Sequence, residues 1–185
     1  MEQEKPEQMA LSKWISGMPY HIGIEVPDME EALRFYCGVL GFKLDWDEEF
    51  GGPLIEQLSG IPGASERCVQ LLVPGGSRLE LQQYKPQGRI GQNSVNNQGL
   101  NHLSFGVTDV QAVYDYLIAK GVKVNCEPID MPGWHGGCTV FYFCDPWGTI
   151  LEFLGPMKGE NPDFGEVAGP GWDSIPPSIW KAKPK

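Results

Sequence analysis

The chain has 185 residues, 41% hydrophobic and 21% charged, which is material for one ordinary core. Its formal charge of −10 argues against a nucleic-acid or acidic-membrane surface, and no run has the roughly 18 apolar residues of a membrane span or the pattern of a secretory leader. Cys37, Cys68, Cys126, Cys138 and Cys144 form no CxxC pair or disulfide framework, so a reducing cytoplasm is the expected location.

Residues 1–18 read as a polar, acidic lead-in with one apolar patch at Leu11, Trp14 and Ile15. Residues 19–26 alternate into a strand that ends at Pro27-Asp28. Asp28 then stands before Met29-Glu30-Glu31, as a helix N-cap ahead of acidic first-turn residues. Ala32, Leu33, Phe35, Tyr36, Val39 and Leu40 recur at helical spacing until Gly41 stops them. A strand is predicted from Phe42 to Trp46, then a long glycine-containing excursion over 47–67. A hairpin of 68–73 with 78–84 turns at Pro74-Gly75-Gly76. Residues 85–100, rich in Gly, Asn and Gln, read as a linker.

The second half repeats that order. It has a strand at 102–107, an Asp109-capped helix to Lys120, a strand at 122–126, a loop at 127–137 and a hairpin of 138–144 with 149–154. The expected organisation is therefore a βαβββ module at 19–84, a second at 101–155, and a Pro/Gly/Trp-rich tail at 156–185. In that tail, Trp172, Ile175, Ile179 and Trp180 are available to dock on the domain or on a partner.

The repeat extends to single residues. His21-Ile22-Gly23-Ile24-Glu25-Val26-Pro27-Asp28 matches His102-Leu103-Ser104-Phe105-Gly106-Val107-Thr108-Asp109. Likewise Pro74-Gly75-Gly76-Ser77-Arg78-Leu79-Glu80-Leu81 matches Pro146-Trp147-Gly148-Thr149-Ile150-Leu151-Glu152-Phe153. A tandem duplication places equivalent residues about a shared axis, so His21, Glu80, His102 and Glu152 are expected to converge on one point. Each glutamate lies opposite two apolar strand neighbours, and a carboxylate on the inside of a curved sheet must be paired, protonated or metal-bound. Two imidazoles and two carboxylates suit one divalent ion: Zn, Ni, Co, Mn or Fe(II). The fold class predicted is α+β, with tandem βαβββ modules forming a curved mixed sheet around a metal-binding cavity.

The paired modules, the Phe35-Tyr36 to Leu40-Gly41-Phe42 run and the Asp145-Pro146-Trp147-Gly148 to Glu152 strand resemble the vicinal oxygen chelate superfamily. That group includes glyoxalase I, methylmalonyl-CoA epimerase, extradiol dioxygenases and the fosfomycin and bleomycin resistance proteins. The resemblance covers about residues 19–155. It implies the fold and the His21, Glu80, His102, Glu152 ligand set, but one scaffold hosts many reactions. Bacterial glyoxalase I has an arginine and an asparagine, for glutathione, where this chain has Glu25 and Tyr84. Methylmalonyl-CoA epimerase has a glutamate base where this chain has Gln70.

The extradiol signature is also met, by Gly133-Trp134-His135, Phe141-Tyr142, Asp145-Pro146-Trp147-Gly148 and Glu152. It implies His135 as acid/base and Tyr142 as a hydrogen-bond donor, with Fe(II). Against it, Glu80 adds a ligand in the space a catecholate needs. The four-ligand set thus favours an isomerase, epimerase or lyase in which Glu80 or Glu152 moves a proton next to a metal-polarised carbonyl. A resistance-type sequestering protein is the third expectation. The predicted lining, Phe50, Leu54, Gln70, Tyr84, Trp134 and Tyr142, suits a small, moderately apolar carbonyl compound. The partners expected are that small molecule and a second copy of the chain, with the site between modules of one chain or of two swapped chains; no nucleic acid or membrane is expected.

Overall fold

A computed structural model describes residues 19–89, 91, 94–132 and 137–157. The expectations for the lead-in, for Trp134 and His135, and for the tail with Trp172, Ile175, Ile179 and Trp180 lie outside the described residues.

Strand β1 (Ile22–Glu25) is followed by helix α1 (Met29–Leu33), whose Asp28 cap accepts a hydrogen bond from the Glu31 backbone N–H at 2.9 Å. The helix then widens into a π-helical stretch at Arg34–Val39, where Leu40 N–H reaches back five residues to Phe35 O at 3.0 Å. The wider turn buries the consecutive rings of Phe35 and Tyr36. Strand β2 (Lys43–Gly51), helix α2 (Pro53–Ser59), β3 (Ser65–Leu72) and β4 (Arg78–Lys85) complete the first sheet, in the order β1-β4-β3-β2. Strand β1 runs parallel to β4, and the other pairs are antiparallel.

The second sheet repeats this order as β5-β8-β7-β6, from β5 (Leu103–Gly106), β6 (Ile129–Met131), β7 (Cys138–Cys144) and β8 (Ile150–Pro156). Helix α3 (Val110–Ala119) joins β5 to β6, and its Asp109 cap accepts from Ala112 N–H at 2.9 Å. The fold class is α+β, with two four-stranded mixed sheets and, among the described residues, no closed barrel.

Two expectations are corrected. The excursion at 47–67 is mostly regular, because β2 runs on to Gly51, α2 follows and β3 begins at Ser65. The acidic run Asp47-Glu48-Glu49 is tolerated because β2 is an edge strand. There Asp47 holds Arg67 through two bonds of 2.9 and 2.6 Å, and Glu30 takes a third at 2.7 Å. In the second half, the strand expected at 122–126 is reduced to an isolated Val124–Phe143 bridge. Regular pairing resumes at 129–131, inside the stretch read as loop. Pro128 lies between the two pieces and has no N–H to continue the ladder.

Both sheets turn one apolar face to a common core. Leu79, Leu81, Val69 and Leu71 from the first pack in one cluster with Leu103, Phe141, Phe143, Leu151 and Phe153 from the second. Phe42 and Phe105 bring the halves together with ring centroids 5.5 Å apart.

Candidate active site

Strand register decides where the carboxylates point. Glu80 stands beside Gln70 of β3 and Gly23 of β1, while Glu152 stands beside Tyr142 of β7 and Ser104 of β5. Their neighbours Leu79, Leu81, Leu151 and Phe153 enter the core, so alternation sends the glutamates to the opposite faces. Both are buried, at 8% and 3% exposure, and need a partner there. Cys68 and Tyr142 hydrogen-bond to them, and the predicted histidines stand beside them. His21 Nδ1 lies 3.4 Å from Glu80 Oε2, and His102 Nε2 lies 3.6 Å from Glu152 Oε2.

These spacings exceed an ordinary hydrogen bond. Two ligand atoms each about 2.1 Å from one ion stand roughly 3.0–3.4 Å apart at right-angled to tetrahedral geometry. The His21–Glu80 pair stands at the upper end of that range and the His102–Glu152 pair just beyond it, and each donor set, an imidazole and a carboxylate, fits a divalent ion. His102 is further oriented, since its Nδ1 donates to Asn101 Oδ1 while the Asn101 amide donates to Val95 O. The His102 Nε2 lone pair then faces Glu152.

The four groups do not converge within one chain. Among the described residues, no set of three or more His, Cys, Asp or Glu side chains is placed to hold one ion. The physical reason is the shared core. Because both sheets give it their apolar faces, the His21–Glu80 and His102–Glu152 faces turn away from it. Each chain thus carries two separate His–Glu couples.

The other predicted site residues divide. The Tyr142 ring packs 5.0 Å from that of His102, and its phenol is raised above the usual tyrosine range by burial and then by the Glu152 carboxylate. Gln70 is buried beside Glu80. Phe50 and Tyr84 lie further along the same sheet face, each paired with Glu66. Leu54 is 73% exposed on α2, so it encloses nothing in the single chain. Sequence reading passed over Glu66, Cys68 and Gln82, although period-two counting from Glu80 and Gln70 reaches all three. Burial and then the Glu80 carboxylate push the Cys68 thiol up to about 12.

The Asp145-Pro146-Trp147-Gly148 stretch has a structural account. Asp145 is 4% exposed, and its Oδ1 accepts from Trp147 and Thr149 backbone N–H groups at 3.0 and 2.7 Å. Its Oδ2 accepts from Tyr36 Oη at 3.0 Å, which ties the π-helical turn of the first half to the second. Gly148 provides the positive φ of 91° that the turn needs. Tyr36→Phe is expected to cost about 2 kcal/mol, because it strips a charged acceptor of a buried donor. Urea unfolding measures this, and an unchanged midpoint would remove the bond from the account.

Residues 19–153 match the family model described as the glyoxalase/bleomycin resistance protein/dioxygenase superfamily. A 2-epi-5-epi-valiolone epimerase from Actinomyces sp. is 30% identical over 146 residues, covering 76% of this chain and 80% of that protein. A probable lactoylglutathione lyase from Synechocystis sp. is 28% identical, covering 72% of this chain and 92% of that protein. Among solved structures, a glyoxalase family protein from Bacillus cereus superposes with a TM-score of 0.65 at 18% identity, over 74% of this chain and 92% of that one.

Proposed function

Because the chain belongs to the glyoxalase/bleomycin resistance protein/dioxygenase superfamily, we propose that it is a divalent-metal-dependent epimerase, or a related isomerase or lyase, that moves a proton next to a substrate carbonyl. The observation that carries this reading is the pair of His–Glu couples, each with a buried carboxylate and a spacing close to that of adjacent ligands. Relatives named as an epimerase and as a probable lyase support it. His21, Glu80, His102 and Glu152 would hold the ion, which when bound supplies Lewis-acid polarisation of the carbonyl. Around it, the chain's own groups orient the substrate and exclude water, and one glutamate takes the proton and returns it to the carbon. The oxygenase reading is the alternative, although its Asp-Pro-x-Gly stretch already has a structural role in a turn and a cross-core hydrogen bond.

Since the two His–Glu couples of one chain face away from their common core, two copies are proposed to complete each other. His21–Glu80 of one would then meet His102–Glu152 of the other about a two-fold axis. The test is complementation. His21→Ala and His102→Ala should each lose metal affinity by more than the roughly 10–100-fold that removal of a merely supporting residue costs. Refolding the two variants together should restore about a quarter of the wild-type metal, because half of the dimers are mixed and each mixed dimer holds one intact site. Metal analysis after desalting reads the outcome. No recovery would refute the shared site, and full metal retention in either single variant would refute the ligand assignment.

A further inference from the structure

The first sheet's open face carries a polar group that none of the described residues meets. Gln70 is 2% exposed, yet its side chain makes no hydrogen bond to any described residue. Its amide is not sealed in either. Among the described residues, the fully enclosed side-chain nitrogen or oxygen without a partner is Arg78 Nε. The Gln70 amide therefore reaches the space over this face, beside Glu80 in the register of β3 and β4. An amide with two donors and an accepting oxygen is costly to bury unless something meets it.

The rows beyond Gln70 continue in the same chemistry. Cys68 stands beside Gln82, which in turn lies beside Glu25 of β1, and Glu66 stands beside Tyr84. Gln82 Nε2 donates to Glu66 Oε2 at 3.4 Å, and Glu25 Oε1 accepts the Tyr84 backbone N–H at 3.0 Å. The cations of this face, Lys43 and Arg78, sit in the row of Leu72 on the other side of Gln70. Arg78 is laid over the Tyr20 ring, 5.1 Å from its centroid. From Gln70 toward Glu66 the described residues of this face thus offer amides, a phenol and carboxylates, with the Trp46 and Phe50 rings of β2 at their edge, and no positive charge. Such a wall repels phosphates and carboxylates. Hydroxyl groups, which both donate and accept, match it.

We propose that Gln70 orients the substrate by binding a hydroxyl group next to the reacting carbonyl, and that Gln82 and Glu66 bind further hydroxyls, so the substrate is an uncharged polyhydroxylated ketone or aldehyde. The placement beside the reacting carbonyl rests on the proton-transfer reading above, in which Glu80 is at the metal. Gln70 acts here in binding and selection, without itself exchanging the proton.

The test compares L-erythrulose with 2-butanone, its counterpart without hydroxyls, on the metal-loaded full chain. Saturation-transfer NMR reads binding, and deuterium incorporation from D₂O reads proton transfer. Wild type should bind erythrulose tighter than butanone by about tenfold or more. Gln70→Leu, which keeps the side-chain volume, should erase that preference by weakening erythrulose binding about tenfold, with metal content measured alongside. Gln82→Leu should reduce it in part, and it tests the same wall if Gln70→Leu does not fold. Equal binding of the two ketones by wild type, or a preference that survives both substitutions, would overturn the proposal. Erythrulose binding that depends on Gln70 without any deuterium incorporation would leave the hydroxyl site standing and remove the proton-transfer reading.

Discussion

In the Glu152→Gln variant, deuterium exchange into a carbonyl substrate is expected to fall by about 10²–10⁴-fold, the usual contribution of a positioned acid or base. Glu152 is the more enclosed of the two glutamates, at 3% exposure, and Tyr142 and His102 surround it. Glutamine preserves its shape and accepting oxygen but cannot take a proton. Glu80 lies beside the more exposed His21, whose side chain is 38% accessible, and Glu80→Gln should retain measurable exchange. Metal content must be measured in both variants, since loss of the ion imitates loss of the base. Full exchange in metal-replete Glu152→Gln would take the base role from Glu152. Oxygen uptake with a catechol would replace proton transfer by ring cleavage.

Gly155→Ala should give the largest effect on stability, about 3 kcal/mol, or roughly 10 °C in Tm. A Cβ at Gly155 would stand 2.4 Å from Val107 O and 2.8 Å from Val110 Cγ2. The backbone carbonyl has little room to withdraw, because Val107 N–H is bonded to Leu154 O at 2.8 Å beside it. The glycine lets β8 run closely past the corner between β5 and α3, which holds Glu152 and His102 in register. Calorimetry with Gly51→Ala as comparison checks this. There the new Cβ would meet Ser65 Cβ at 3.3 Å, a contact that a small shift relieves. Equal losses in the two variants would refute the close-approach argument.

The parts of this protein legible in its sequence are those that local physics writes into short segments. Asp28 and Asp109 announce helix starts because a carboxylate can accept the free N–H groups of a first turn, and both do so. The repeated His and Glu could be paired on paper because a period of two places Glu80 and Glu152 opposite their leucine and phenylalanine neighbours. The glycine-containing excursion expected from residue 47 fails first at Asp47-Glu48-Glu49, which continue β2. The bidentate Arg67 partner lies 20 residues away in sequence and becomes adjacent only when β2 pairs with β3.

Alternation alone does not say on which side of a sheet the other half of the chain will pack. That choice belongs to the tertiary structure. Phe42, Tyr36 and the leucines of β3 and β4 meet Phe105, Phe141 and Phe153, because the burial of two apolar faces in one core outweighs the approach of two acidic ones. The donors were therefore determined by residue type and spacing in the sequence. Their separation into two His–Glu couples was decided by the direction in which the hydrophobic faces close.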